Sequence, residues 1–368
     1  LLTQHGAGGA QGLALDESLM GNYARGTDDS PPTLRLYTYK DHSALCGRYQ
    51  NLPAEINIEA CERTGTEYNR RPTGGGAIVM GAGQLGIAVV TRAPVSEHPK
   101  LLLERFSAGI ITGLAKLGVD AAFAGKNDLK VDGRKIAGLG LYLDGAAGLL
   151  FHSSVLADLD IGFMLEVLDT PASKLGSAGI DAVKERVTTV SRETAESWNG
   201  TSLSDVIGLG FCDALGIDLD ESRITAEEQS RAGVLVETKF STDEWRLQRS
   251  PRSDTTGSAV LRTPAGHIRL YLSMNGDTIK SALFTGDFNA LPASLAAFES
   301  SLKWTRADRG QLARVAAETC GTDTGLGVPV DDLVSTVLEA AEQVATRTIA
   351  APDIEGSCYF PETEGPQQ

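Results

Sequence analysis

A chain of 368 residues with 42% hydrophobic and 22% charged side chains can bury a real core and is long enough for two domains. Its formal net charge of −15 excludes the basic surface that a general nucleic-acid binder needs. No apolar run reaches the roughly 18 residues that would suggest a membrane span.

The five cysteines (Cys46, Cys61, Cys212, Cys320, Cys358) form no C-x-x-C pair, and the five histidines are dispersed. That usage fits reduced thiols in a cytoplasm better than a disulfide framework or a zinc site. The opening LLTQHGAGGA has neither a basic n-region nor a long apolar h-region, and so predicts no signal peptide.

In chain order, LALDESLM (13–20) reads as a short helix and TLRLYTYK (33–40) alternates like a half-buried strand. After a run of glycines, AIVM and LGIAVVTR read as strands joined by GAGQ. A helix is predicted from Pro99 to Gly118, with Leu102, Phe106, Ile110, Leu114 and Leu117 at helical intervals. Strands follow over 128–158, with a hairpin turn at Asp132-Gly133, and then one helix over SRETAESWNGTSLSDVIGLGFCDALGI. Polar residues up to about 235 predict a linker. Beyond it, VLRTPAGHIRLYLSMNGDTIKSALFTGDF predicts three strands, and PASLAAFESSLK and VDDLVSTVLEAAEQVATR two helices. This is an α+β order with hairpins, not a doubly wound sheet. The expected division is 1–235 for a catalytic domain, 236–345 for a smaller α/β accessory domain and 346–368 for a tail.

Two stretches carry chemistry. In RRPTGGGAIV (70–79), consecutive glycines let backbone N–H groups approach an anion, beside two arginines suited to phosphate or carboxylate. The same string also fits a tight strand-to-strand turn, and it matches neither the P-loop nor the dinucleotide pattern. In GKNDLKVDGRKIAG (125–138), Lys135 precedes a small Ala-Gly pair that leaves room for a ligand, and Asn127 and Asp128 offer oxygens suited to Mg²⁺ or a hydroxyl. A solvated hairpin is the plainer alternative. Together the stretches place Arg70, Arg71, Lys126, Lys130, Arg134 and Lys135 in an acidic chain, which predicts an anionic substrate.

Taken jointly, CGRYQN (46–51), RRPTGGGAI (70–78), KNDLKVDGRKIAG (126–138) and FHSSVL (151–156) resemble the lipoate–protein ligase A family of the biotin and lipoate ligase superfamily in order and spacing. DEWRL (243–247) and FTGDFN (284–289) resemble that family's accessory-domain signatures, so the likeness runs from about 10 to 345.

The resemblance implies a large mixed-sheet catalytic domain. It also implies an ATP-dependent ligase that forms lipoyl-AMP, or octanoyl-AMP, and transfers the acyl group to a lysine of a lipoyl-carrier protein. The acceptor would be an acyltransferase subunit of a 2-oxoacid dehydrogenase, a glycine-cleavage H protein or another lipoate carrier. By the same resemblance, Lys135 is catalytic and bridges phosphate and acyl carbonyl. The nucleotide would lie on Arg71, Gly76, Ala77, Ile78, Val79, Asn127, Asp128 and Lys135. Lipoate would lie on Arg70, Gly74, Gly75, Gly138, His152, Lys135 and the LALDE helix. Mg²⁺ would accompany ATP at Asp128, with no tightly bound metal.

Three departures from the family pattern make the acyl pocket more apolar. Met80, Gly81 and Gln84 stand where His, Asp and Asn are usual, FHS replaces HHG and keeps only His152, and KIAGLG replaces KxSGSA. Two other readings remain. One is an octanoyl or lipoyl transferase that uses a Cys thioester without ATP. The other is a non-catalytic lipoyl-binding relative. A biotin ligase would show a GRGRxGR loop, which is absent.

Overall fold

The computed structural model describes residues 1–23, 30–94, 97–125, 127–144, 147–170, 177–264 and 266–348. They form two compact units, divided at Gln248/Arg249.

The strands of the first unit are β1 (Leu2–Ala7), β2 (Thr33–Tyr39), β3 (Ser43–Cys46), β4 (Glu67–Arg70), β5 (Ile78–Met80), β6 (Gln84–Arg92), β7 (Ala122–Ala124), β8 (Asp128–Val131), β9 (Arg134–Leu143) and β10 (Gly148–Leu156). Seven of them make a mixed sheet in the order β1-β2-β6-β10-β9-β8-β7, parallel at β1–β2 and antiparallel elsewhere. The other three make a small sheet, β4-β3-β5.

The large sheet is covered on both faces. Leu34, Leu36, Ile87, Phe151 and Val155 face the helices Pro99–Ala115 and Gly200–Leu215. Tyr37, Tyr39, Ala88, Val90 and Leu150 pack on the other side with Leu13, Leu15 and Leu19 of the helix Gly9–Met20. Central strands buried on both faces read as near-continuous apolar runs, as LGIAVV does.

The first helix begins at Gly9, earlier than its periodicity predicts, because the Glu67 carboxylate accepts from the Gly9 backbone N–H (2.7 Å). That is a cap supplied from 58 residues away in sequence. The single helix expected over 191–217 is two, Val190–Thr194 and Gly200–Leu215. Ala195 turns left-handed (φ 57°) and Asn199 caps the second helix in a box with Ser202. The polar stretch before 235 contains a helix, Ala226–Leu235, rather than a continuous linker. It packs along the first helix, where the Ser18 hydroxyl donates to the Glu228 carbonyl (2.8 Å). Its composition misleads because Ala232 is its only buried residue.

Residues 236–248 also belong to the first unit. Phe240 is fully buried, and the Trp245 indole N–H donates to the Arg70 carbonyl (2.8 Å). DEWRL therefore lies in this unit, not in an accessory domain. We expect a fragment ending at Gln248 to melt cooperatively and one ending at residue 235 to melt at least several degrees lower. Differential scanning calorimetry of the two fragments checks this, and equal melting temperatures would refute the placement.

The second unit holds β11 (Gly257–Thr263), β12 (Gly266–Asn275) and β13 (Thr278–Gly286) as an antiparallel meander. Its helices are Ala293–Ser301, Arg309–Cys320 and Val330–Thr348, the middle one not anticipated. Of the expected tail, 349–368 lie outside the described residues. No described helix is long and apolar enough to cross a membrane.

Candidate active site

The glycine run crosses from β4 to β5 and folds back on the turn after β3. Gly75 adopts φ 91°, a backbone region that side chains disfavour. Its carbonyl oxygen lies so near Gly47 that a Cβ there would sit 1.9 Å away. The Arg71 backbone N–H donates to the Cys46 carbonyl, and the Arg48 N–H to the Thr73 carbonyl, each at 3.0 Å. CGRYQN and RRPTGGG are thus two halves of one structure.

The arginines hold that structure from within. Arg71 sends Nη2 to the Gly74 and Gly76 carbonyls (2.7 and 2.8 Å) and Nη1 to the Leu45 carbonyl (3.0 Å). Arg70 has no exposed surface, and donates to the carbonyls of Gly47, Arg48, Gln50, Trp245 and Arg246. A guanidinium presents five N–H donors in a fixed plane, so one side chain can gather several carbonyls.

Lys135 comes from the opposite side. Its backbone is pinned by residues 186–188: its N–H donates to the Arg186 carbonyl (2.8 Å) and its carbonyl accepts from Thr188 (2.9 Å). A register shift between Leu129 and Lys130 opens the β8–β9 ladder at Ile136, just after it, a device that re-aims side chains. The ammonium pairs with the Asp128 carboxylate at 2.7 Å and lies 3.1 Å from where a Gly138 Cβ would stand. Any larger residue at 138 would displace it.

These elements enclose one pocket. Of the residues singled out from sequence, Arg71, Gly74, Gly75, Gly76, Ala77, Ile78, Asn127, Lys135, Gly138 and His152 line it. Arg70, Val79 and Asp128 do not. Arg70 is turned onto carbonyls. Val79 alternates with Ile78 and Met80 and faces a separate cluster around Ala44 and Cys46. Asp128 reaches the site only through Lys135.

The expected concentration of positive charge is narrower than the sequence suggests. Lys126 lies outside the described residues, Arg134 pairs with Glu193 (3.0 Å), and only Arg71 and Lys135 of the six cations are among the lining residues. Among the described residues there is no group of three or more metal-ligating side chains, so Mg²⁺ would find Asp128 as a single carboxylate already paired with Lys135.

The same pocket has an apolar lining from Leu13, Leu45, Met80 and the Tyr37 ring. Behind it lies a charge network that the sequence reading missed. His152 Nε2 sits 2.7 Å from Asp16 Oδ2, and Asp16 Oδ1 takes Arg35 Nη1 at 2.6 Å. Asp16 and Arg35 are both fully buried. Burial alone would raise the Asp16 pKa, but Arg35 and His152 outweigh it and hold the carboxyl below its usual range. A signal was available: Asp16 sits between Leu13 and Leu19 on the helix's apolar stripe, and Arg35 alternates with Leu34 and Leu36 onto the face that helix covers.

The site is thus a mixed sheet bearing a clasped glycine loop, with Lys135 and that loop lining one pocket. The family model for the lipoyl protein ligase A/B catalytic domain matches residues 9–211, and the chain belongs to that family. The octanoyltransferase LipM of Symbiobacterium thermophilum is 28% identical over 267 residues, covering 66% of this chain and 95% of that one. The lipoate-protein ligase LplJ of Bacillus subtilis is 27% identical, covering 69% and 75%. Among solved structures, the bipartite lipoate protein ligase of Thermoplasma acidophilum, solved in a study of that ligase and its E2 lipoyl domain, is 26% identical. It superposes with a TM-score of 0.60 over 68% of this chain and 98% of that one.

Proposed function

We propose that this enzyme is the ATP-dependent member of the pair: it activates lipoate or octanoate as the acyl-AMP and passes the acyl group to a lysine of a lipoyl domain. The relatives divide between ligases and octanoyltransferases at similar identity, so the reading rests on the pocket. A thioester route needs a thiol beside Lys135, and no described cysteine lines that pocket. Cys46 and Cys61 are buried, and burial pushes both thiols up to about 11, away from the thiolate form a nucleophile requires. Cys212 lies on the helix Gly200–Leu215 and Cys320 in the second unit.

The adenylate route needs no protein nucleophile. The carboxylate attacks the α-phosphate of ATP, pyrophosphate leaves, and a lysine amine later displaces AMP. Both steps build negative charge on oxygen, and one ammonium that reaches both centres serves both. Lys135 supplies it. Arg71 and the Gly76–Ile78 backbone take the nucleotide side, Gly74, Gly75, Gly138 and His152 the acyl side, and Mg²⁺ arrives with the phosphates.

The test is ATP–pyrophosphate exchange with lipoate and with octanoate, on the wild type and on a variant with all five cysteines replaced. Exchange with either acid, retained in the cysteine-free protein, is the expected result. Absence of exchange, together with acyl transfer from an octanoyl carrier protein that is lost with the cysteines, would establish the transferase instead.

A further inference from the structure

His152 is held on one nitrogen only. Its Nε2 faces Asp16 at 2.7 Å, while Nδ1 has no partner among the described residues and the ring lines the pocket. Asp16 is fully buried, with its other oxygen on Arg35, and Arg35 is in turn held by the Gln4 side chain (2.7 Å) and the Gly12 carbonyl (3.0 Å). An ionised carboxylate only accepts hydrogen bonds, so the 2.7 Å contact places the imidazole hydrogen on Nε2. In the neutral imidazole with that tautomer, Nδ1 carries the lone pair.

The sheet register puts that lone pair near the chemistry. His152 pairs with Gly140 and Ser154 with Gly138, so His152 and Gly138 are diagonal neighbours on one face, roughly 7–8 Å apart. The Lys135 ammonium lies over Gly138 on that same face. Lys135 and His152 thus line one pocket from neighbouring strands, the lysine on the side of Gly138 and the imidazole on the side of Gly140.

We propose that His152, oriented by Asp16 and Arg35, is the general base of the acyl-transfer half-reaction. This rests on the ligase reading above. The acceptor lysine enters as the neutral amine, and its lone pair forms the C–N bond. The proton shed from that nitrogen moves to His152 Nδ1, and the carbonyl C–O bond to phosphate breaks with its electron pair leaving on AMP. The imidazolium, steadied by Asp16, then returns its proton to water. His152 is catalytic in this scheme, and Asp16 and Arg35 are positioning residues.

The test separates the half-reactions. Adenylation is followed by pyrophosphate exchange, and transfer by single turnover of preformed octanoyl-AMP with an isolated lipoyl domain. His152→Gln keeps an N–H donor for Asp16 but supplies no base, so the buried charge stays paired. Loss of a general base costs 10²–10⁴-fold, and transfer should fall at least tenfold more than exchange does.

Asp16→Asn should lower transfer with the same selectivity. Equal loss of both half-reactions in His152→Gln would overturn the proposal while leaving the ligase reading intact. A wild type without exchange would sink the reading itself.

Discussion

Lys135→Ala is expected to lower pyrophosphate exchange by on the order of 10²-fold or more in a protein that still folds, the usual cost of removing one preorganised charge from a developing oxyanion. The side chain is partly exposed and, among the described residues, pairs with Asp128 alone, so its loss leaves no buried group stranded beyond one half-open carboxylate. Stability should therefore change little. Lys135→Arg tests the geometry separately. The ammonium occupies space that Gly138 leaves open, 3.1 Å from a hypothetical Cβ, and a planar guanidinium is wider than a point-like ammonium. We expect arginine to rescue only weakly. Exchange assays beside thermal melts decide the matter, and near-normal exchange in a folded Lys135→Ala protein would remove this lysine from the mechanism.

How far the sequence foretold this site depends on whether the determinants were local. The hairpin at Asp132-Gly133, the helix from Pro99 and the strands of the second unit are written in short-range periodicity and turn residues, and they stand where expected. The glycine loop and Lys135 were legible as a pair because each is a dense local string. What escaped depends on long-range partners. The first helix gains its first turn from Glu67, the helix Ala226–Leu235 hides in polar residues because only Ala232 is buried, and β1 and the small sheet depend on pairings no local window displays. The Asp16–Arg35–His152 network is the sharpest case. Three residues from a helix and two strands meet only once the sheet is assembled; His152 and the helix of Asp16 were singled out through the family resemblance, but nothing local ties either of them to Arg35.

The arginines show the opposite error, a local string over-read as a ligand site. RRPTGGG invites both cations to be placed on substrate, yet Arg70 is spent on backbone carbonyls from two distant segments, 47–50 and 245–246. Carbonyls that turn inward need a donor, and a buried acceptor left without one costs about 1–3 kcal/mol. Removing the Arg70 side chain strands several at once, among them the Trp245 carbonyl that Arg70 Nε holds at 3.2 Å. Some of those carbonyls would recover water or another donor, so we expect Arg70→Ala to cost roughly 3–5 kcal/mol, in the range found when buried charged networks are broken. In a unit of this size that corresponds to a fall in Tm on the order of 10 °C. Arg70→Lys should recover little, because one ammonium cannot span the fork. Activity at low temperature should fall in proportion to the folded fraction, with no selective rise in the KM for lipoate. Denaturant melts beside lipoate titrations make the distinction. A variant of native stability whose KM for lipoate alone has risen would return Arg70 to the acyl pocket and overturn its assignment as the tie between these segments.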